Sequence, residues 1–155
     1  MTQSIEVNIT GIQAFREESL ALGCYKQSVT MRQQGRQNIE YNLFVFNDLC
    51  FRFARQFCDD YLIDSWDWYT LSNGGFFICP KTEKTYRISV QSNYYQGEMS
   101  AQALGITVSL FALCALAELA HDKNQEDEYF TECYHWLRDY SFDVRESFAI
   151  AGAID

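Results

Sequence analysis

The chain has 155 residues, of which 48% are hydrophobic and 16% are aromatic, so it can bury a core of its own. One proline and eight glycines argue against a linker-rich or disordered chain. The net charge of -9 disfavours nucleic acid as a direct partner, because phosphate contacts are made by lysine and arginine. We predict a single domain over residues 1–155.

The cysteine pattern indicates a reducing compartment. No pair has the C-x-x-C spacing, and the first ten residues lack the basic start and apolar run of a secretory signal. We therefore expect a cytoplasmic protein whose cysteines are mostly buried thiols outside any disulfide. The six are Cys24, Cys50, Cys58, Cys79, Cys114 and Cys133.

The N-terminal third carries weak patterns. Ile5, Val7 and Ile9 alternate with polar residues, which predicts a short strand. A helix is predicted over 12–22, and the polar stretch 27–38 is typical of a loop.

A stronger amphipathic helix is predicted over 41–60. Its apolar residues recur at i, i+3, i+4 and i+7, and Asp48 and Arg52 form an i,i+4 pair on the other face. The apolar set is Phe46, Leu49, Cys50, Phe53, Ala54, Phe57 and Cys58.

Three strands are predicted next. The runs Trp66–Leu71 and Phe76–Pro80 are rich in aromatic and β-branched residues and flank an Asn73-Gly74-Gly75 turn, so they should pair antiparallel. Pro80 lacks an N–H and should end its strand. A polar turn over 81–84 leads to Thr85–Val90, and we expect the three strands to form a meander. A loop should follow, up to Ser100.

The stretch 101–120 is apolar nearly all round, as in a central core helix or a membrane span. Small residues and the polar Gln102, Thr107, Ser109 and Glu118 interrupt it, which favours the core and argues against a membrane partner. Ser100 is its predicted N-cap.

Two helices should complete the fold. One is predicted over 126–140, and a shorter one over about 144–152, where Asp143 and Glu146 have capping-box spacing. The predicted fold class is α+β: a small three-stranded antiparallel meander packed by four to five helices, with the apolar helix at the centre.

The residues do not form a recognised catalytic, cofactor or metal motif. Cys133 and His135 point about 200° apart on a helix, so they cannot easily share an ion, and we expect core and surface positions for them. The Asn73-Gly74-Gly75 turn leads into a strand, whereas a phosphate loop leads into a helix. An enzyme remains the alternative: a hydrolase-like site using Asp67, Glu98 or His121 in a pocket between sheet and helix.

Several segments resemble the ArdB/KlcA-type antirestriction proteins, and they occur in the same order over residues 60–155. They are Asp60-Tyr61, Trp66, Tyr69, Leu71-Ser72-Asn73-Gly74-Gly75-Phe76-Phe77, Gly97-Glu98-Met99-Ser100-Ala101, Ala103-Leu104-Gly105-Ile106 and Ala153-Ile154-Asp155. The resemblance implies a protein of mobile DNA that relieves host type I restriction, with no active site and no cofactor. Its partner would be a host protein, either the restriction enzyme or another host factor.

The residues we expect to contact that partner are Asn73, Gly74 and Gly75 at the hairpin tip, Glu98, and Asp155. A complete DNA mimic is disfavoured by charge density. The segment 126–139 has five acids and one base, whereas DNA of similar length, about 20 Å, carries on the order of 12 charges.

Overall fold

A computed structural model describes residues 7–10, 45–59, 65–122 and 128–155. These ranges contain five strands and four helices, which supports the predicted α+β class. The predicted helix over 12–22, the loop over 27–38 and Cys24 lie outside them. The strands are β1 Val7–Thr10, β2 Trp66–Leu71, β3 Phe76–Pro80, β4 Thr85–Val90 and β5 Tyr95–Ser100, and the helices are α1 over 45–57, α2 Ala101–Asp122, α3 Glu128–Ser141 and α4 Ser147–Ile154.

The predicted β2–β3 hairpin is present, with Trp68 opposite Ile78. Its turn is closed by the Leu71 N–H, which donates to the Gly75 carbonyl at 2.8 Å, and by the Gly74 N–H, which donates to the Leu71 carbonyl at 3.0 Å. Gly74 has φ of 102°, a left-handed value that glycine adopts without steric cost. The short strand predicted near the N-terminus is β1, which pairs antiparallel with β2.

The predicted meander is wrong, because β4 does not continue the first sheet. The sheet order is β1-β2-β3, and β4 forms a separate two-stranded sheet with β5, in a stretch where we expected a loop. Helix α2 occupies the position beside β3. The Ser109 hydroxyl accepts a hydrogen bond from the Ile78 N–H at 3.2 Å and lies 3.4 Å from the Ile78 carbonyl, to which it can donate. β4 therefore pairs with the chain that follows it.

Helix α2 is the core helix that the sequence predicted. It is long and apolar enough to cross a membrane, but 67% of its most apolar window is buried inside the protein. Ser100 caps it as expected, since its hydroxyl accepts the Ala103 N–H at 3.2 Å. Gly105 allows the closest approach, because a Cβ there would overlap Cys79 Cβ and the Ile78 carbonyl oxygen.

The other helices cover the two faces of the first sheet. On one face, the Phe46 ring of α1 lies 5.7 Å from Trp68 and 5.2 Å from Phe76 between centroids. On the other face, Tyr140 of α3 stacks on Phe77 at 5.9 Å. The amphipathic pattern of α1 is confirmed within 45–57, and its Asp48–Arg52 ion pair measures 3.0 Å.

The predicted capping box is wrong. Helix α4 begins at Ser147, and its N-cap residue Glu146 makes no side-chain cap hydrogen bond. Instead, the Glu146 carboxylate accepts the Ser100 N–H at 2.9 Å. This donor lies at the junction of β5 and α2, so Glu146 ties α4 to the start of the core helix.

Replacing Gly105 with alanine should destabilise the fold. Helix propensity favours alanine by about 1 kcal/mol, but the new methyl group collides with backbone and Cβ atoms of β3, and overpacking of this kind costs about 1–3 kcal/mol. We expect a net loss in the free energy of unfolding, measured by urea denaturation. Cys114→Ala, at an exposed position of the same helix, is the matched control. Equal stability of the two variants would contradict the close contact.

Candidate functional site

The tip of the β2–β3 hairpin is docked on α3. The Asn73 side-chain amide donates to the Trp136 carbonyl at 2.8 Å, and its carbonyl oxygen accepts the Gly75 N–H at 3.0 Å. Gly75 is buried, and a Cβ there would lie 2.9 Å from Trp136 Cβ. We expected an exposed tip, but only Gly74 of the three predicted residues is exposed. Their contact with a partner stays a prediction.

The β4–β5 hairpin tip is docked on α4 in the same way. The Asn93 amide donates to the Ala153 carbonyl at 2.6 Å and to the Gly152 carbonyl at 3.4 Å, while its oxygen accepts the Tyr95 N–H at 3.0 Å. Each hairpin thus uses one asparagine both to shape its own turn and to satisfy a helix carbonyl. The second turn was not predicted, because residues 91–94 contain no glycine.

Glu98 lies on the solvent side of the second hairpin. It is exposed and stands opposite Arg87 in the β4–β5 register, where opposite charges attract across the strands. Both side chains line an open groove of about 760 Å³ between this hairpin and the end of α1. The lining residues are Phe57, Asp59, Arg87, Ile88, Ser89, Gln96, Gly97 and Glu98.

Asp155 lies next to α3. Its carboxylate oxygen is 4.0 Å from the Arg138 guanidinium, whose carbon also lies 5.1 Å from the centre of the Phe142 ring. Asn73 reaches the same helix at the Trp136 backbone carbonyl. The five predicted contact residues thus lie on three elements: the tip of the first hairpin, strand β5 and the end of α4.

The alternative catalytic residues are spread over the fold. His121 follows Ala101 by 20 residues of α2, which is about 30 Å of helix. Glu98 precedes Ala101 by three strand residues, which can span only about 10 Å, so at least about 20 Å separates it from His121. Asp67 stands opposite Cys79, which contacts Gly105 near the other end of α2. The proposed Asp67, Glu98 and His121 site is therefore not formed.

A polar cluster that the sequence did not reveal lies on β2 and β3. Burial raises the pKa of the Cys79 thiol to about 11, although a hydrogen bond from Tyr69 acts in the opposite direction. Burial, Cys79 and Asp67 together raise the pKa of Tyr69 to about 12. Both groups therefore stay protonated at neutral pH. A cysteine is nucleophilic only as a thiolate, so the protonated Cys79 thiol is not a nucleophile. Cross-strand register brings these residues together, which spacing along the sequence could not indicate.

The described residues contain no group of three or more His, Cys, Asp or Glu side chains able to hold a metal ion. Cys133 is buried and His135 is exposed, as expected from their positions on α3. Four of the five described cysteines are buried, and Cys114 is exposed. Desolvation raises the pKa of the Cys50 thiol above its ordinary range, so this thiol also stays protonated.

The family model of the antirestriction proteins matches residues 59–155, which include both docked hairpins and α2 to α4. This chain belongs to the antirestriction protein family. Two relatives from Escherichia coli, both named antirestriction protein KlcA, support the assignment. One is 37% identical over 107 residues, covering 69% of this chain and 75% of the relative, and the other is 40% identical over 108 residues, covering 69% and 73%.

The similarity of fold extends over the whole chain. A solved structure of the KlcA and ArdB proteins superposes with a TM-score of 0.70 at 28% identity, covering 100% of this chain and 98% of that one. Those proteins are described as having a novel fold and antirestriction activity against type I DNA restriction systems in vivo but not in vitro. The predicted family is therefore confirmed.

Replacing Asn73 with alanine should lower the free energy of unfolding by about 1–3 kcal/mol, because the Trp136 carbonyl and the Gly75 N–H each lose a partner. The measurement is urea denaturation, with Gln91→Ala, exposed near the other hairpin tip, as the control. If Asn73→Ala changes stability no more than Gln91→Ala does, the docking contact contributes nothing. Phage-protection assays of Asn73→Ala at equal soluble protein separate the structural role of Asn73 from contact with a partner.

Proposed function

We propose that this protein relieves type I restriction of incoming mobile DNA by binding a host protein in the cytoplasm. The observation that carries this proposal is the whole-chain similarity to the KlcA and ArdB structure, together with the family match over residues 59–155. The partner is the restriction enzyme itself or a factor associated with it. Buried cysteines outside disulfides in the described chain support a reducing compartment.

A contact mechanism is favoured over chemistry. The titratable residues that the sequence offered for catalysis lie on separate elements, and at least about 20 Å separates Glu98 from His121 along α2. The Cys79 thiol, which is 4% exposed, stays protonated at neutral pH. Binding a host protein and blocking its surface do not require a reactive carboxylate, imidazole or thiol.

The charge on α3 favours a protein contact over complete DNA mimicry. The 14 residues of α3 include three acids and one arginine. The helix is about 21 Å long, and DNA of that length carries on the order of 12 phosphate charges. The acidity of the chain is better suited to steering a basic partner toward the surface.

The difference between activity in vivo and in vitro supports a host factor as part of the target. The KlcA and ArdB proteins are active in vivo but not in vitro. If the present chain shares that property, its target includes a component or a state of the restriction system that exists in the living cell.

The test is the plating efficiency of unmodified phage on bacteria carrying a type I restriction system, with and without this protein. We expect plating to rise by an order of magnitude or more, with no rise in the same strain lacking the restriction subunit. Methylation of host DNA should be unchanged. Unchanged plating in the presence of soluble, folded protein would contradict the proposed function.

A further inference from the structure

Two aromatic side chains of the described chain are almost completely exposed. Tyr94 is 90% exposed and Phe148 is 92% exposed, whereas Phe142 and Leu119 are 59% and 41% exposed. Phe142 also has the Arg138 guanidinium over its ring. Exposed aromatic groups that cluster on a folded surface commonly mark an interaction site.

The backbone holds Tyr94 in an unusual conformation. Its φ is 60°, which non-glycine residues rarely adopt. The adjacent Asn93 fixes the turn by its hydrogen bonds to Tyr95 and to the carbonyls of Gly152 and Ala153. The fold thus presents a large aromatic side chain at a strained turn position that glycine or asparagine would occupy at lower cost.

Tyr95 connects this turn to the exposed face of α4. Its ring atoms lie 3.1 Å from the Cβ position of Gly152, and its hydroxyl lies over Gly97. Phe148 precedes Gly152 by one helical turn, so the two lie on the same helix face. We define the aromatic corner as Tyr94, Tyr95 and Phe148. The Asn93 contacts hold its two elements together, so the backbone that carries both exposed rings is positioned before any partner binds.

The charges around the aromatic corner indicate which class of partner can bind there. Residues 89–97 of the hairpin carry no charge, whereas residues 138–155 carry four acids and two bases, a net charge of -2. Glu146 lies close enough to Tyr95 to contribute to its raised pKa, after burial. A negative rim repels nucleic acid and anionic lipid, and a second copy of this chain would bring another charge of -9. Lysine and arginine side chains, in contrast, are attracted both to the acids and to the faces of exposed rings.

We propose that the aromatic corner is a docking surface for a basic protein surface, with Tyr94 and Phe148 as its two anchors. This inference rests on the proposed function, since the partner there is a host protein of the restriction machinery. Arginine or lysine side chains of the partner stack on the two rings, and the surrounding carboxylates stabilise their charge. Aromatic side chains in such positions contribute much of the energy of protein interfaces.

The variants Tyr94→Asn and Phe148→Gln remove the rings without disturbing the fold. Asparagine tolerates positive φ, and glutamine is a good helix former. We expect the double variant to lose at least tenfold of the phage protection while its urea midpoint is no lower than that of the wild-type chain. Leu119→Gln, which removes an exposed apolar side chain on α2, is the matched control and should protect fully. Full protection by the double variant would overturn the proposal.

A cross-linking experiment decides the matter even if the wild-type chain gives no protection. A benzoylphenylalanine probe is placed at position 148, and at position 119 as the control, in restricting cells. We expect an adduct only at 148, with a peptide of a restriction subunit rich in lysine and arginine, and a lower yield with Tyr94→Asn. The same Tyr94-dependent adduct with a basic peptide of another host protein would support the docking surface at the aromatic corner. It would contradict a restriction subunit as the partner.

The remaining outcomes contradict the docking surface. They are an adduct with a second copy of this chain, with lipid or with nucleic acid, equal adducts at positions 148 and 119, or no adduct. Absence of protection by the wild-type chain, with a basic adduct at 148, would instead overturn only the proposed function.

Discussion

The contact between helix α2 and strand β3 determines how the rest of the chain can pack. Gly105 brings the helix against Cys79 and Ile78, and the Ser109 hydroxyl bonds to the backbone of Ile78 in a buried position. A buried backbone group without a partner costs about 1–3 kcal/mol, so Ser109 stabilises an arrangement in which no further strand pairs there. The helix therefore replaces the fourth strand of a sheet, and β4 and β5 form their own hairpin.

That arrangement leaves two hairpins, and each must be fixed to the helices. Asn73 joins the first to α3 and Asn93 joins the second to α4, while Glu146 links α4 back to the start of α2. Burial raises the pKa of the Cys50 and Cys79 thiols and keeps both protonated. At the outer surface, the second hairpin and α4 present Tyr94 and Phe148 to solvent.

Local patterns predicted the elements better than their partners. Period 3.6 identified α1 and α3, the Asn73-Gly74-Gly75 turn identified the first hairpin, and the apolar run identified α2. The partner of β4 could not be predicted, because it depends on which element packs at the edge of β3 in the folded chain. The spacing of Asp143 and Glu146 was misleading, since a backbone donor distant in sequence, at Ser100, competes for the Glu146 carboxylate.

The candidate site was less predictable for the same reason. An asparagine at a hairpin tip suggests exposure, but Asn73 is held by a carbonyl 63 residues away. The two most exposed aromatic residues of the described ranges carried no signal in the sequence, because Phe148 lies in an apolar run and Tyr94 in a segment that we expected to be a loop. Exposure is a property of tertiary packing, and only the fold reveals it.

In the proposed function, protection arises from surface contact and not from a reaction. The most direct measurement is phage protection by the double variant Asp67→Asn/His121→Gln, which removes two of the three residues of the alternative catalytic site and leaves Glu98 in place. We expect protection equal to that of the wild-type chain at equal soluble protein. Loss of protection by this variant, with an unchanged urea midpoint, would contradict it and indicate that these side chains take part in a reaction.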